Sequence, residues 1–187
     1  MSTPAAAEPL LTAEEFERFQ GEDEYILELV AGTVVRERAP APLHGRLQAQ
    51  MAHLLLQWVE ERNRGGAVVT HTGFVLRRNP DTVRLPDVAH VSAERMPESA
   101  WARGLWQMGP DLAVEVTSPS NTWTEIQRKV DDYLGAGTLA VWVVDPPTRT
   151  VTVYRPGAEA RRLDAAAELA DDAVPGFRVP LARLFGV

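Results

Sequence analysis

Three stretches of the sequence read as β-strands, and each carries an acid among apolar neighbours: Glu28 in "YILELV", Asp87 in "RLPDVAHV" and Glu115 in "LAVEV". An ionised carboxylate buried without a partner costs so much that it protonates instead. One such acid can face solvent on the polar side of the pleat. Three of them constrain the fold, because strands that can neighbour one another in one sheet would bring the acids to a shared site. Two carboxylates ~4 Å apart repel by ~1–4 kcal/mol at effective dielectrics of about 80 to 20, so such a site needs a cation. Pro86, just before Asp87, lacks the N–H of a ladder bond. It marks either an edge or bulge that re-aims Asp87, or an early end to the strand.

A hard divalent metal suits an all-oxygen site. Magnesium, or manganese in its place, takes one or two carboxylates and keeps several waters, whereas zinc wants imidazole or thiolate. The histidines, His44, His53, His71 and His90, form no HExxH pattern and no i, i+4 pair. There is no cysteine, which excludes disulfides, thiolate metal sites and cysteine nucleophiles and suits a reducing cytosol. A second cation is conspicuous by composition: Lys129 is the only lysine, beside eighteen arginines. On a helical wheel Trp123, Ile126, Val130, Tyr133 and Leu134 form an apolar stripe, with Lys129 on its flank beside Tyr133. From there its stem can follow the packed face and carry the ammonium toward the end of the sheet. A compact, movable ammonium differs in chemistry from the rigid guanidinium used everywhere else.

The remaining pattern supplies the frame. "TAEEFERFQ" opens with a capping box, Thr12 and Glu15, and reads as a short helix closed by Gly21. "YILELV", "AG" and "TVVRER" form a hairpin, and "GEDE" before it is a solvated turn. Leu43, Leu47, Met51, Leu54, Leu55 and Trp58 recur at helical spacing up to Gly65-Gly66. From "AVVTHTGFVLRR" to "VRLPDVAHV" two or three antiparallel strands are expected, then a loop from Ser92 to Pro110 with a short helix around Trp101. A second capping box, Thr122 and Glu125, opens a helix that Gly135 or Gly137 closes. "TLAVWVVDPP" and "TVTVYRP" are paired strands, with a further strand near "EARRLD" and a closing segment at "LARLFGV". The order predicts an α/β (α+β-like) fold with a mixed central sheet flanked by helices.

The 187 residues suit one domain, 1–187. Neither a signal-peptide pattern nor an apolar run of about 18 residues is present, so a soluble, cytoplasmic protein without membrane contact is expected. The net charge of -7 argues against a general nucleic-acid coat, because phosphate binding needs clustered cations. Any such contact is local, with Arg36, Arg38, Arg46, Arg77, Arg78 and Arg84 as candidates.

A Pro-Asp strand, a later strand with glutamate among apolar residues, and a lysine at the site resemble the PD-(D/E)XK nuclease superfamily. Within it the sequence resembles the Uma-two family of restriction-endonuclease-like proteins. The pieces are "ELVAGTVV", "PLHGRL", "RLPDVAHVSAERMP", "PDLAVEVTSPSNT", "RKVDDYLGAG" and "VWVVDPPTRTVTVYRP", spanning a core of about residues 12–156. The usual lysine stands two residues after the glutamate; here that position is Thr117. The resemblance implies a restriction-endonuclease-like core in which Asp87, Glu115 and the Val116 carbonyl ligate the metal. It implies that Lys129 serves from the following helix, with Glu28 and His44 as accessories, and that the protein is a homodimer.

Two functions follow as expectations. One is a magnesium-dependent nuclease that hydrolyses phosphodiester bonds in DNA, the metal activating water and Lys129 stabilising developing charge. The other is a catalytically silent homodimeric module that keeps the fold and binds a partner or nucleic acid. A serine hydrolase is excluded by the lack of a GxSxG motif.

Overall fold

The computed structural model describes residues 9–18, 25–38, 41–61, 65–96, 101–102 and 104–186. Alternation along two neighbouring strands sets its architecture. β7 (Leu112–Val116) and β8 (Ala140–Asp145) pair in parallel, with Glu115 opposite Val143. Leu112, Val114 and Val116 pack on one face with Ala140, Trp142 and Val144, while Ala113, Val141 and Val143 pack on the other. Helices cover both faces, so both strands read as almost continuous apolar runs. On the first face lies α2 (Pro42–Glu61), through Leu47, Met51, Leu54, Leu55 and Trp58. On the second lies α3 (Trp123–Gly135), through Ile126, Val130 and Tyr133. α3 is also the crossover that a parallel pair requires. The two-residue period then turns Glu115 to the face of Ala113, toward α3.

The sheet around this pair has the order β10-β9-β8-β7-β6-β3, where β3 is Ala67–Val69, β6 Val88–Val91, β9 Thr150–Tyr154 and β10 Arg161–Leu163. All its pairings except β7–β8 are antiparallel. A second sheet has the order β2-β1-β5-β4, from β1 (Tyr25–Val30), β2 (Thr33–Arg38), β4 (Phe74–Arg77) and β5 (Thr82–Arg84). The β1–β2 turn has positive φ at Ala31 (48°) and Gly32 (78°), as a tight two-residue hairpin requires. α1 (Ala13–Glu17) packs on this sheet through Ala13 and Phe16. The ribbon of β11 (Glu168–Ala170) and β12 (Arg178–Pro180), followed by α4 (Leu181–Phe185), completes the core on the α2 side.

"VRLPDVAHV" is two strands and not one. β5 ends at Arg84 in the four-stranded sheet, β6 begins at Val88 in the six-stranded sheet, and Leu85-Pro86-Asp87 carries the chain between them. Pro86 sits where no ladder bond is asked of its nitrogen, and its carbonyl accepts the His71 N–H at 3.1 Å. The region therefore holds four strands rather than two or three, and Glu28 and Glu115 lie in different sheets rather than one.

Both capping boxes form, at Thr12–Glu15 and Thr122–Glu125, and Gly137 takes a positive φ just beyond α3. Leu43 and Trp123, expected on apolar faces, are exposed, because each stands in the first turn of its helix beyond the reach of the core. Among the described residues of 92–110 there is no helix; Trp106 forms a bridge to Phe74 and packs against it. Gly21 and the "GEDE" turn lie outside the described residues. The tail yields the expected strand as β10 and the closing segment as α4, while β11 and β12 escape the sequence pattern. Among the described residues no helix is long and apolar enough to cross a membrane.

Candidate active site

Asp87 leaves the crossover just before β6 and is buried against the start of α2 and the end of β7. One carboxylate oxygen faces His44 Nε2 at 2.9 Å, and the other accepts the Val116 N–H at 2.7 Å. An ionised carboxylate only accepts, so His44 donates from Nε2. His71 Nε2 stands 3.5 Å from the same oxygen as His44, without hydrogen-bond geometry. Gln48 ties the group together, donating to the Asp87 carbonyl at 3.0 Å and approaching His71 Nδ1 at 3.4 Å. Burial works to raise the Asp87 pKa, but the two histidines and the Val116 N–H outweigh it and bring it to about 2.

Glu115 is buried on the α3 face, where Tyr133 donates to one oxygen at 2.7 Å and Lys129 to the other at 3.2 Å. The same ammonium is 2.9 Å from Glu37 and 3.4 Å from Glu28. Glu28 in turn accepts from Arg84 at 2.7 Å and from the Leu85 N–H at 3.0 Å, and Arg84 also grips Asp132 at 2.7 Å and 2.9 Å. Burial opposes both cations, but Glu115, Glu28 and Glu37 hold Lys129 well above the ordinary lysine range, and Glu28 and Asp132 hold Arg84 up likewise. Burial pushes Glu115 up to about 8, helped by repulsion from Asp87 and Glu28 against the pull of Lys129 and Tyr133. Burial and the neighbouring carboxylates raise Tyr133 well above its usual value, which keeps it a neutral donor. Thus Glu28, Glu37, Glu115 and Asp132 share two cations.

These groups meet at a cleft of about 590 Å³ between the β1–β2 hairpin and α3, lined by His44, His71, Asp87, Glu115, Val116 and Lys129. Ile26, Val30, Val35 and Leu85 give it an apolar wall. The arginines proposed for phosphate contact turn out otherwise. Arg84 is buried in its ion pairs; Arg46 bonds the Phe185 carbonyl, Arg77 the Thr82 hydroxyl, and Arg78 the acids Glu14 and Asp81. Arg36 and Arg38 border the cleft, yet they alternate with Glu37 and so leave β2 on the face opposite to the one that reaches Lys129. Arg128, which the sequence reading passed over, lines the cleft and is exposed.

His71, Glu37 and Tyr133 were missed as site residues, and Arg84, a candidate for phosphate contact, is a buried ion-pair partner instead. Glu37 was legible in principle: the two-residue turn sets Ile26 opposite Glu37 and Glu28 opposite Val35, which puts Glu37 on the face of Glu28. Tyr133 follows Lys129 by one helical turn and so shares its face. His71 sits in a bend with φ of 46° and carries no sequence signal.

The donor set can be weighed against a metal. Among the described residues no group of three or more His, Asp or Glu side chains is arranged to hold an ion by itself. What the cleft offers is two carboxylates, Asp87 and Glu115, with Glu37 and Glu125 also in its lining. Such a set fits magnesium or manganese, which complete their shells with carbonyl oxygen and water, and does not fit zinc.

The same arrangement of strands and helices occurs in a crystal structure described as a "putative nuclease belonging to DUF820" from Anabaena variabilis. It superposes with a TM-score of 0.82 at 21% sequence identity, covering 94% of this chain and 98% of that one. The chain therefore shares the mixed α+β fold of that protein. Residues 13–182 match the family model Uma2, described as "Putative restriction endonuclease", and the chain belongs to that family. No curated protein matches the sequence.

Proposed function

We propose that the chain is a metal-dependent nuclease that hydrolyses phosphodiester bonds in DNA. The observation that carries this reading is the meeting of Lys129 with Glu115 and Glu28, at 3.2 Å and 3.4 Å, in the cleft that Asp87 also lines. Asp87 and Glu115 would hold the ion. An extended residue turns its N–H and C=O to the same side, so the Val116 carbonyl faces Asp87, as its N–H does, and would be a further ligand. A bound magnesium or manganese ion would lower the pKa of a water and polarise a phosphoryl oxygen.

The chain's own groups divide the remaining work. Lys129 stays protonated, so it acts as a fixed positive charge beside the attacking water and the growing phosphoryl charge, not as a base. Tyr133 fixes the rotamer of Glu115, and His44 with the Val116 N–H fixes Asp87. Glu28 holds Arg84 and Lys129 in place from the neighbouring sheet. Arg128 is the guanidinium available to a flanking phosphate.

The test is cleavage of labelled DNA by chelator-stripped protein with magnesium or manganese restored. Wild type should cut, whereas Asp87→Ala and Lys129→Met should lose about 10²–10³ in rate. Failure of wild type to cut with any divalent ion, or equal rates in all three, overturns the reading. A second reading, the silent homodimeric module, is favoured by the saturation of Lys129 with three carboxylates. Manganese-soaked crystals with no density between Asp87 and Glu115 would support it.

A further inference from the structure

Lys129 and a metal ion on Glu115 cannot both be held as the chain now holds Lys129. The ammonium lies 3.2 Å from one Glu115 oxygen and Tyr133 holds the other, so an ion on Glu115 would have to share with these donors, and two cations drawn to one carboxylate repel each other. Relief requires somewhere else for the ammonium to rest. Glu115 has its other oxygen committed to Tyr133, and Glu28 is committed to Arg84 and the Leu85 N–H. Glu37 differs from both. It makes the shortest contact to Lys129, 2.9 Å, its side chain is 30% exposed, and it has no other partner among the described residues. It stands on β2, the edge strand of its sheet, on the cleft side of the hairpin.

We infer that Glu37 is a positioning residue that draws the Lys129 ammonium off Glu115 when a divalent ion binds, so that Lys129 and the ion compete for Glu115 and Glu37 relieves the competition. The inference rests on the reading of Asp87 and Glu115 as ion ligands. A lysine suits this exchange better than an arginine, since its ammonium is a point charge with three rotatable donors on a flexible stem. In the resting state the ammonium neutralises Glu28 and Glu37 beside Glu115. In the loaded state it stays beside the reacting centre on Glu37.

Manganese binding, measured by calorimetry on the intact protein without DNA, tests the idea. Lys129→Met should bind manganese more tightly, by roughly the 5–150-fold range of coupled sites. Glu37→Gln should bind it more weakly, because Lys129 then keeps its hold on Glu115. In the double variant the Glu37 change should have little further effect, because Glu37 acts through Lys129. Since Lys129 is the only lysine, side-chain ¹⁵N-lysine labelling gives one ammonium resonance, which magnesium should shift in wild type but much less in Glu37→Gln. If Glu37→Gln weakens manganese equally with Lys129 present or absent, Glu37 acts through its own field and the inference falls. It falls also if Lys129→Met binds no more tightly than wild type. Should neither wild type nor Lys129→Met bind manganese, the ion-ligand reading itself fails; loss of binding in Asp87→Ala alone shows that reading intact.

Discussion

Glu115→Gln converts the electrostatics of the site into a stability measurement. The wild-type carboxyl has a pKa of about 8 in the folded chain against an ordinary 4.5, with burial as the chief cause. Between those values the folded state binds more protons than the unfolded one, so stability is full below pH 4.5 and falls as the pH rises through 8. Each pKa unit is worth about 1.36 kcal/mol, so the loss is on the order of 5 kcal/mol across this window. Glutamine is the uncharged counterpart of the protonated acid. Its carbonyl can still accept from Tyr133, and Lys129 keeps Glu28 and Glu37. The variant should therefore match wild type at low pH and exceed it by several kcal/mol above pH 8. Urea denaturation across this range, with chelator present, gives both curves. Parallel curves, or a variant weaker than wild type at the alkaline end, would refute the claim that Glu115 resists ionisation.

Three further outcomes follow from the same contacts. Arg84→Met leaves Glu28 and Asp132 without their guanidinium; breaking such a buried pair costs about 3–5 kcal/mol, and the Tm should fall by roughly 10 °C on calorimetric scanning. Asp87→Asn removes a carboxylate whose pKa is depressed from 3.8 to about 2, a contribution of about 2 kcal/mol that is present above pH 3.8 and lost as the pH falls through 2. Its denaturation curve should lie below wild type at neutral pH and converge with it in acid. Thr122→Ala removes the capping hydroxyl of α3 and should cost about 1 kcal/mol by urea titration.

Local chemistry made much of this molecule legible from its sequence. The capping boxes, the two-residue hairpin turn and the apolar spacing of α2 each act over a few residues, and each forms where its pattern stands. Charge accounting also travelled well: acids in apolar strands need partners, and Lys129 reaches two of the three. The identity of the other partners did not follow. Arg84 precedes the crossover and was a candidate for phosphate contact, yet the change of sheet at Pro86 buries it between Glu28 and Asp132. Which sheet a strand joins depends on long-range pairing that alternation does not encode. Asp171 shows the limit of the reasoning from the other side. It is a fully buried acid, held by Trp142 at 3.0 Å and Arg155 at 2.7 Å, and its role is to anchor the β11–β12 ribbon.

The two buried cations beside Glu28 divide their work by geometry. Arg84 offers a planar fork, and it lies between two carboxylates whose positions two elements fix, Glu28 on β1 and Asp132 on α3. That is a tie between the hairpin sheet and the helix that covers the main sheet. Lys129 offers a point charge, and three carboxylates from β1, β2 and β7 surround it at 2.9–3.4 Å. Replacing the first tie would loosen the walls of the cleft; replacing the second would change what the cleft can hold. A chain with eighteen arginines and one lysine keeps the lysine where the charge has several places to rest. Pro86 makes both arrangements possible, since the crossover it occupies brings Arg84 to the end of one sheet and Asp87 to the start of the other, three residues apart.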